Sequence, residues 1–209
     1  MTHPHPDSPQ APGMLVIGCG MIAREILAVK QQLGLDHLEL TCLPAELHYY
    51  PDRIPAAMDR AIEKARADGY RHIFVGYADC GTGGLLDKVC AKHGVERLAG
   101  PHCFAFYQGL AAFDTIADGD MTAFYMTDFL CRHFEAFFLK PLGLDRHPEL
   151  IKDFFGNYEK VVYLAQTDDP ALDRVAERAA QMLGLAYERR ATGYGELPGA
   201  LETAYRPTR

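Results

Sequence analysis

Residues 72–77 are predicted to form a strand, and after His72 they read Ile73-Phe74-Val75-Gly76-Tyr77, an almost unbroken apolar run. A strand that is apolar on both faces must be covered on both, which is the condition of a parallel sheet flanked by helices. The segments around it supply that cover. Residues 14–17 form a second apolar run ending in Gly18-Cys19-Gly20; Ile22, Ile26, Leu27, Val29 and Leu33 then recur near helical spacing before Gly34. Residues 38–43 read as a strand. After a long loop, Ala57, Met58, Ala61, Ile62 and Ala65 mark a helix that Gly69 stops. A short helix to His93 and a short strand over residues 96–99 follow.

The second part has the same grammar. Residues 122–126 predict a strand, and Phe129, Leu130, His133, Phe134, Phe137 and Phe138 predict one aromatic helix. Residues 160–165 predict a strand, residues 170–183 an amphipathic helix, residues 186–190 a last strand, and a terminal helix follows Gly193-Tyr194-Gly195. Strands alternating with helices imply right-handed βαβ units. The expectation is an α/β, Rossmann-like parallel sheet with helices on both faces over residues 13–209.

An internal echo is visible: residues 70–80 line up with residues 158–168, each a strand followed by a helix carrying Leu-Asp (Leu86-Asp87 and Leu172-Asp173). Either all βαβ units look alike, or the chain is duplicated into two pseudo-symmetric lobes, residues 13–118 and 119–209. In the second case the later lobe carries Asp168 where the earlier carries Cys80.

Composition narrows the function classes. A net charge of −7 with no basic run argues against nucleic-acid binding. Residues 1–12 are rich in Pro, His and Ser and lack the hydrophobic run of a secretory signal. They are expected to be a disordered tail, with His3 and His5 solvated. No segment approaches a bilayer span, so a cytoplasmic protein with six reduced cysteines is expected.

Ligands of open parallel sheets bind beyond the carboxyl ends of the strands. Cys19 follows strand one, Cys80 follows strand three, and Cys103, within Gly100-Pro101-His102-Cys103, follows strand four. Three strand ends thus deliver a thiol towards one edge. Helix starts supply the positive potential that forms thiolates, and Gly18, Gly20, Gly81 and Gly83 let backbone approach a bound group closely. Three thiolates with one open position suit a catalytic zinc or a four-iron cluster. The alternatives are small residues buried in tight turns, or a nucleophilic pair without metal.

His48, in the loop after strand two, and His102, beside Cys103, are candidate ligands or proton carriers. Asp79 is a candidate orienting group or a helix cap. Asp128 faces the same edge or caps its helix. Cys42 and Cys90 are expected in the core, Cys131 either packed or a fourth ligand, and His133 packed. Gly18-Cys19-Gly20-Met21-Ile22-Ala23 also fits a dinucleotide fingerprint, with Glu39 within strand two.

In these features, namely Gly-Cys-Gly after a strand, Leu47-His48 with Pro51, Asp79-Cys80-Gly81, and Cys103 before an aromatic, Gly-containing helix, the chain resembles the uncharacterised family catalogued as domain of unknown function 1638. Members are often encoded beside corrinoid-dependent methyltransferases. The resemblance therefore implies one-carbon metabolism, with a small-molecule substrate and a corrinoid protein or methyltransferase as partner. A cofactor-free cysteine enzyme (racemase- or lyase-like) and a non-enzymatic accessory module are the other expectations.

Overall fold

In the computed structural model, residues 13–116 and 120–205 are described. The expectations for residues 1–12, with His3 and His5, lie outside them, as does the lobe boundary at 118/119. The elements run β1 (Met14–Cys19), α1 (Ala23–Leu33), β2 (Leu38–Leu43), α2 (Ile54–Ala67), β3 (Ile73–Gly76), α3 (Leu85–His93), β4 (Glu96–Arg97), α4 (Cys103–Gln108), α5 (Leu110–Ile116), β5 (Ala123–Thr127), α6 (Asp128–Arg132), α7 (Ile151–Phe155), β6 (Lys160–Ala165), α8 (Pro170–Leu183), β7 (Ala186–Ala191) and α9 (Leu197–Tyr205). Every strand pairing is parallel, in two sheets ordered β2-β1-β3-β4 and β5-β6-β7. The order β5-β6-β7 repeats β1-β3-β4. Among the described residues, no helix is long and apolar enough to cross a membrane.

Period-two alternation of strand side chains divides the interior into three cores. Leu15, Ile17, Ile73 and Val75 face α2 and α3. Val161, Tyr163 and Ala165 face Leu172, Ala176 and Ala180 of α8. Between the sheets lies a shared core: Met14, Val16 and Phe74 from one side, Val162 and Leu164 from the other, with α1, α4 and α9 packed among them. Helices are exchanged here. α4, which follows the first sheet, packs on β6, while α9, which follows the second, packs on α1. The Glu196 N–H donates to the Phe106 carbonyl at 2.9 Å, and Leu110 N–H donates to the Glu196 carboxylate at 2.8 Å.

Three expectations are corrected. The aromatic helix is broken: α6 ends at Arg132, and Glu135–Leu139 form a π-helix in which Lys140 N–H reaches the Glu135 carbonyl. His133, expected to be packed, is exposed at the break, its ring tilted by 44° to that of Phe129. Cys42 is exposed instead of buried, on β2 at the edge of the first sheet. Cys90 is in the core as expected.

The second sheet is tied by a buried carboxylate. Asp120 is 6% exposed and accepts from Lys160 at 2.6 Å, Arg190 at 2.7 Å and Tyr125 at 2.9 Å. Burial alone would raise its pKa, but the bonds from Arg190, Lys160 and Tyr125 outweigh it and hold the carboxyl well below the usual range. A depressed carboxylate contributes stability that is present above the unfolded value near 3.9 and lost as pH falls through the folded one. Asp120→Asn is therefore expected to cost about 3 kcal/mol in denaturant titrations at neutral pH. The gap to wild type should narrow below about pH 4.

Candidate functional site

The loops after β3 and β4 are joined by backbone. Asp79 N–H donates to the Gly100 carbonyl at 3.0 Å and Cys80 N–H to the Pro101 carbonyl at 2.7 Å. That pairing continues the β3–β4 ladder past its last residues and carries Cys80 to the segment that opens α4 with Cys103. β1 runs beside β3 and ends at Cys19. Cys19 and Cys80 pack against both the shared core and the outer core of the first sheet, and Cys103 packs against the shared core.

Cys19 ends β1, Cys80 follows β3 and Cys103 opens α4 beyond β4, all at one end of the first sheet. Burial raises the pKa of each. Next in size, the Cys19 thiolate raises Cys80, and Cys80 and Cys19 raise Cys103. Cys80 is pushed up to about 12. Cys19, also raised by burial, is partly relieved by the Met21 N–H and by Tyr77. Such values belong to thiols that carry a proton at neutral pH.

Among the described residues, the trio whose ligand atoms lie within 4.8 Å of one another is Asp59, Glu63 and His93, not the cysteines. Its members are already engaged. Lys92 bridges Asp59 at 2.7 Å and Glu63 at 3.3 Å, and His93 bonds Asp59 at 2.6 Å, clamping α2 to α3.

Cys80 has φ +50, the left-handed region, and it is the non-glycine residue found there among those described. A side chain costs about 1–2 kcal/mol in that conformation. Asp79 fixes the loop: its carboxylate accepts from Thr82 Oγ1 at 2.6 Å, Gly84 N–H at 2.9 Å and Gly83 N–H at 3.1 Å. The Thr82 bond and the two amides hold its pKa down against burial. Gly81 and Gly83 have φ +82 and +62, conformations that suit glycine. Gly18 and Gly20 serve close packing. A Cβ on Gly18 would meet Ile26 at 3.0 Å, and one on Gly20 would meet the Leu43 carbonyl at 3.0 Å. Glu39 is engaged by Tyr70 at 2.6 Å, so neither half of the dinucleotide fingerprint presents a free cradle.

Both histidines lie near the thiols. His48, on the 3-10 turn Ala45–Tyr49, is open to solvent on one side, yet desolvation of its ring lowers its pKa. His102 is lowered by burial and then by His48; its Nδ1 is buried without a partner, between Phe104 and Phe113. Two tyrosines that the sequence did not single out complete the surroundings. Tyr77, 2% exposed, has a buried hydroxyl with no well-aligned hydrogen-bond partner and lies against the Cys19 thiol. Tyr107, also 2% exposed, has its pKa raised by burial, then by Glu25 and Cys103.

A cavity of about 340 Å³ opens from Cys103 and His48 towards the second sheet, walled by Phe104, Phe124, Tyr125 and Phe138. Tyr49 closes one side, stacking on Phe137 and donating its hydroxyl to the Phe137 carbonyl within the π-helix. A larger groove, about 560 Å³, runs between β4 and α9 and has no thiol in its lining.

Asp128 is remote from the thiols in role. Wholly buried, it accepts from Tyr163 at 2.7 Å, Gln166 N–H at 3.0 Å, Thr167 at 2.5 Å and Arg132 at 3.3 Å, joining α6 to the end of β6. Cys131 packs in the core of the second sheet. Asp168 is exposed and paired with Arg189 at 2.8 Å.

If the Cys80 conformation is imposed by its loop, Cys80→Gly relieves that cost. Its unfolding free energy is expected to match or exceed that of Cys80→Ala by about 1 kcal/mol, as chemical denaturation of the two metal-free variants would show.

The family model described as "Protein of unknown function (DUF1638)" matches residues 42–201. No curated protein and no solved structure matches the chain.

Proposed function

For a chain that belongs to the DUF1638 family, we propose that Cys19, Cys80 and Cys103 bind an iron–sulfur cluster or another metal centre with a position open to a small substrate. What supports this reading is the placement of the three cysteines at the same end of neighbouring parallel strands, with Cys80 tied by backbone to the segment that opens with Cys103. Sulfurs that do not all lie within 4.8 Å of one another suit a cluster better than one ion. Zn–S bonds of about 2.3 Å put two thiolates on one zinc no more than about 4.6 Å apart. The cysteines are not a trio within 4.8 Å, whereas iron atoms between thiolates span a wider gap.

The electrostatics favour metal over a bare nucleophile. Cysteine catalysts depend on a lowered pKa, and burial raises these thiols instead. A bound cation would remove both the desolvation cost and the mutual repulsion of the thiolates. Such a centre would supply Lewis-acid or electron-transfer chemistry. Around it, His48, neutral and at the cavity rim, can hold or pass a proton. The unpartnered Nδ1 of His102 can bond a polar group that arrives beside Cys103. Tyr77 holds the Cys19 side of the position dry. The link to corrinoid-dependent methyl transfer, and with it a methyltransferase or corrinoid protein as partner, belongs to this proposal through the family resemblance alone.

Anaerobically purified protein is expected to contain iron and acid-labile sulfide in stoichiometric amount, with visible absorption that dithionite alters. Ser at position 19, 80 or 103 should each abolish most of it, while Cys42→Ser and Cys90→Ser retain it. Protein free of iron and zinc from both aerobic and anaerobic preparations would overturn the proposal.

A further inference from the structure

We infer that the aromatic cavity beside Cys103 takes an uncharged, mainly apolar small molecule as the substrate of the thiol centre, with its reacting end at Cys103 and His48. The inference rests on the proposed role of the thiols for the word substrate, but the choice of ligand class is carried by the cavity itself. At about 340 Å³ it lies at the small end of the range for ligand pockets, about 300–1,000 Å³. Its lining includes no Asp, Glu, Lys or Arg. A carboxylate or phosphate brought into it would lose its hydration with no counter-charge to replace it.

Two of the tyrosine hydroxyls in the walls are already engaged. The Tyr125 hydroxyl donates to Asp120 at 2.9 Å, and the Tyr49 hydroxyl donates to the Phe137 carbonyl. What these residues turn to the cavity is ring surface. The other polar groups of the lining are the Cys103 thiol, His48 and the hydroxyls of Thr127 and Tyr158. A ligand with one functional group is placed with that group at Cys103 and His48 and its apolar body against Phe124 and Phe138.

The walls are preformed. Phe124 and Phe138 pack at 4.9 Å, Phe134 stacks on Phe138 at 4.8 Å, and Phe104 stacks on Tyr125 at 5.2 Å. The π-helix sets Phe137 and Phe138 into this wall, and π-helical turns are frequent at functional sites.

The test uses the full chain, metal-free, with three probes that share one ring: toluene, benzoate and benzyltrimethylammonium. Ligand-observed NMR and thermal unfolding report binding. Toluene is expected to bind and to raise the unfolding temperature, with benzoate weaker by about 100-fold or more. Ala123→Leu, which places bulk in the cavity wall, should weaken toluene by about 10-fold or more. Leu142→Ala, which enlarges the cavity, should shift preference from toluene to naphthalene, and it keeps the test decisive if Ala123→Leu does not fold. The inference is overturned if no probe binds, if benzoate or the cation binds as tightly as toluene, or if neither substitution changes toluene binding. Because metal is absent throughout, binding of toluene to a protein that never takes up iron would remove the cluster and leave the cavity. A loaded cluster beside an empty cavity would do the reverse.

Discussion

Two backbone hydrogen bonds, from Asp79 to Gly100 and from Cys80 to Pro101, set the geometry on which the candidate site depends. β4 is only two residues long, too short to position anything by its ladder alone. By continuing the pairing into irregular chain, these bonds fix the α4 segment, and hence Cys103, relative to the end of β3. Cys80 then adopts a left-handed conformation that its side chain disfavours. Strain at that residue, held by the Asp79 bonds to Thr82, Gly83 and Gly84, is the local cost of pointing a thiol towards its neighbours.

Much of this was legible beforehand, for a physical reason. A parallel strand buried on both faces leaves a strong mark, so residues 160–165 were bounded as they occur, as were residues 38–43, and the carboxyl-end rule placed Cys19, Cys80 and Cys103 on one edge. What escaped depends on tertiary context. A one-dimensional pattern does not distinguish an edge strand from a central one, and so Cys42 was expected to be buried. Phe129 to Phe138 keep helical spacing, but the break at His133 and the π-turn after it answer to packing against Tyr49, which lies over 80 residues away. Tyr77 and Tyr107 went unnoticed because buried aromatics are ordinary core; only their unmet hydroxyl or their charged company marks them.

The polar interior is divided between the sheets. The first sheet's edge carries thiols whose pKa values burial raises; the second sheet's carries Asp128, fully bonded to Tyr163, Gln166, Thr167 and Arg132. Glu25 on α1 joins the two: it faces Arg132 at 3.9 Å, one of its oxygens is unpartnered, and burial raises its pKa. Asp128 is thus satisfied by structural bonds, whereas buried polar atoms without a partner occur on both sides, at Tyr77 and His102 beside the thiols and at Tyr187 on β7.

The exchange of α4 and α9 has a consequence for the order in which the molecule can be completed. Phe106 and Tyr107 of α4 share their core with Val162 and Leu164 of β6 and with Leu197 and Leu201 of α9. A ribosome releases β6 and α9 after α4. Cys103 therefore acquires its final surroundings only once β6 and α9 have emerged, while Cys19 and Cys80 stand at the end of an earlier sheet. Contacts so distant along the chain close slowly, so the core around Cys103 is completed later than the local pairing of β1 with β2.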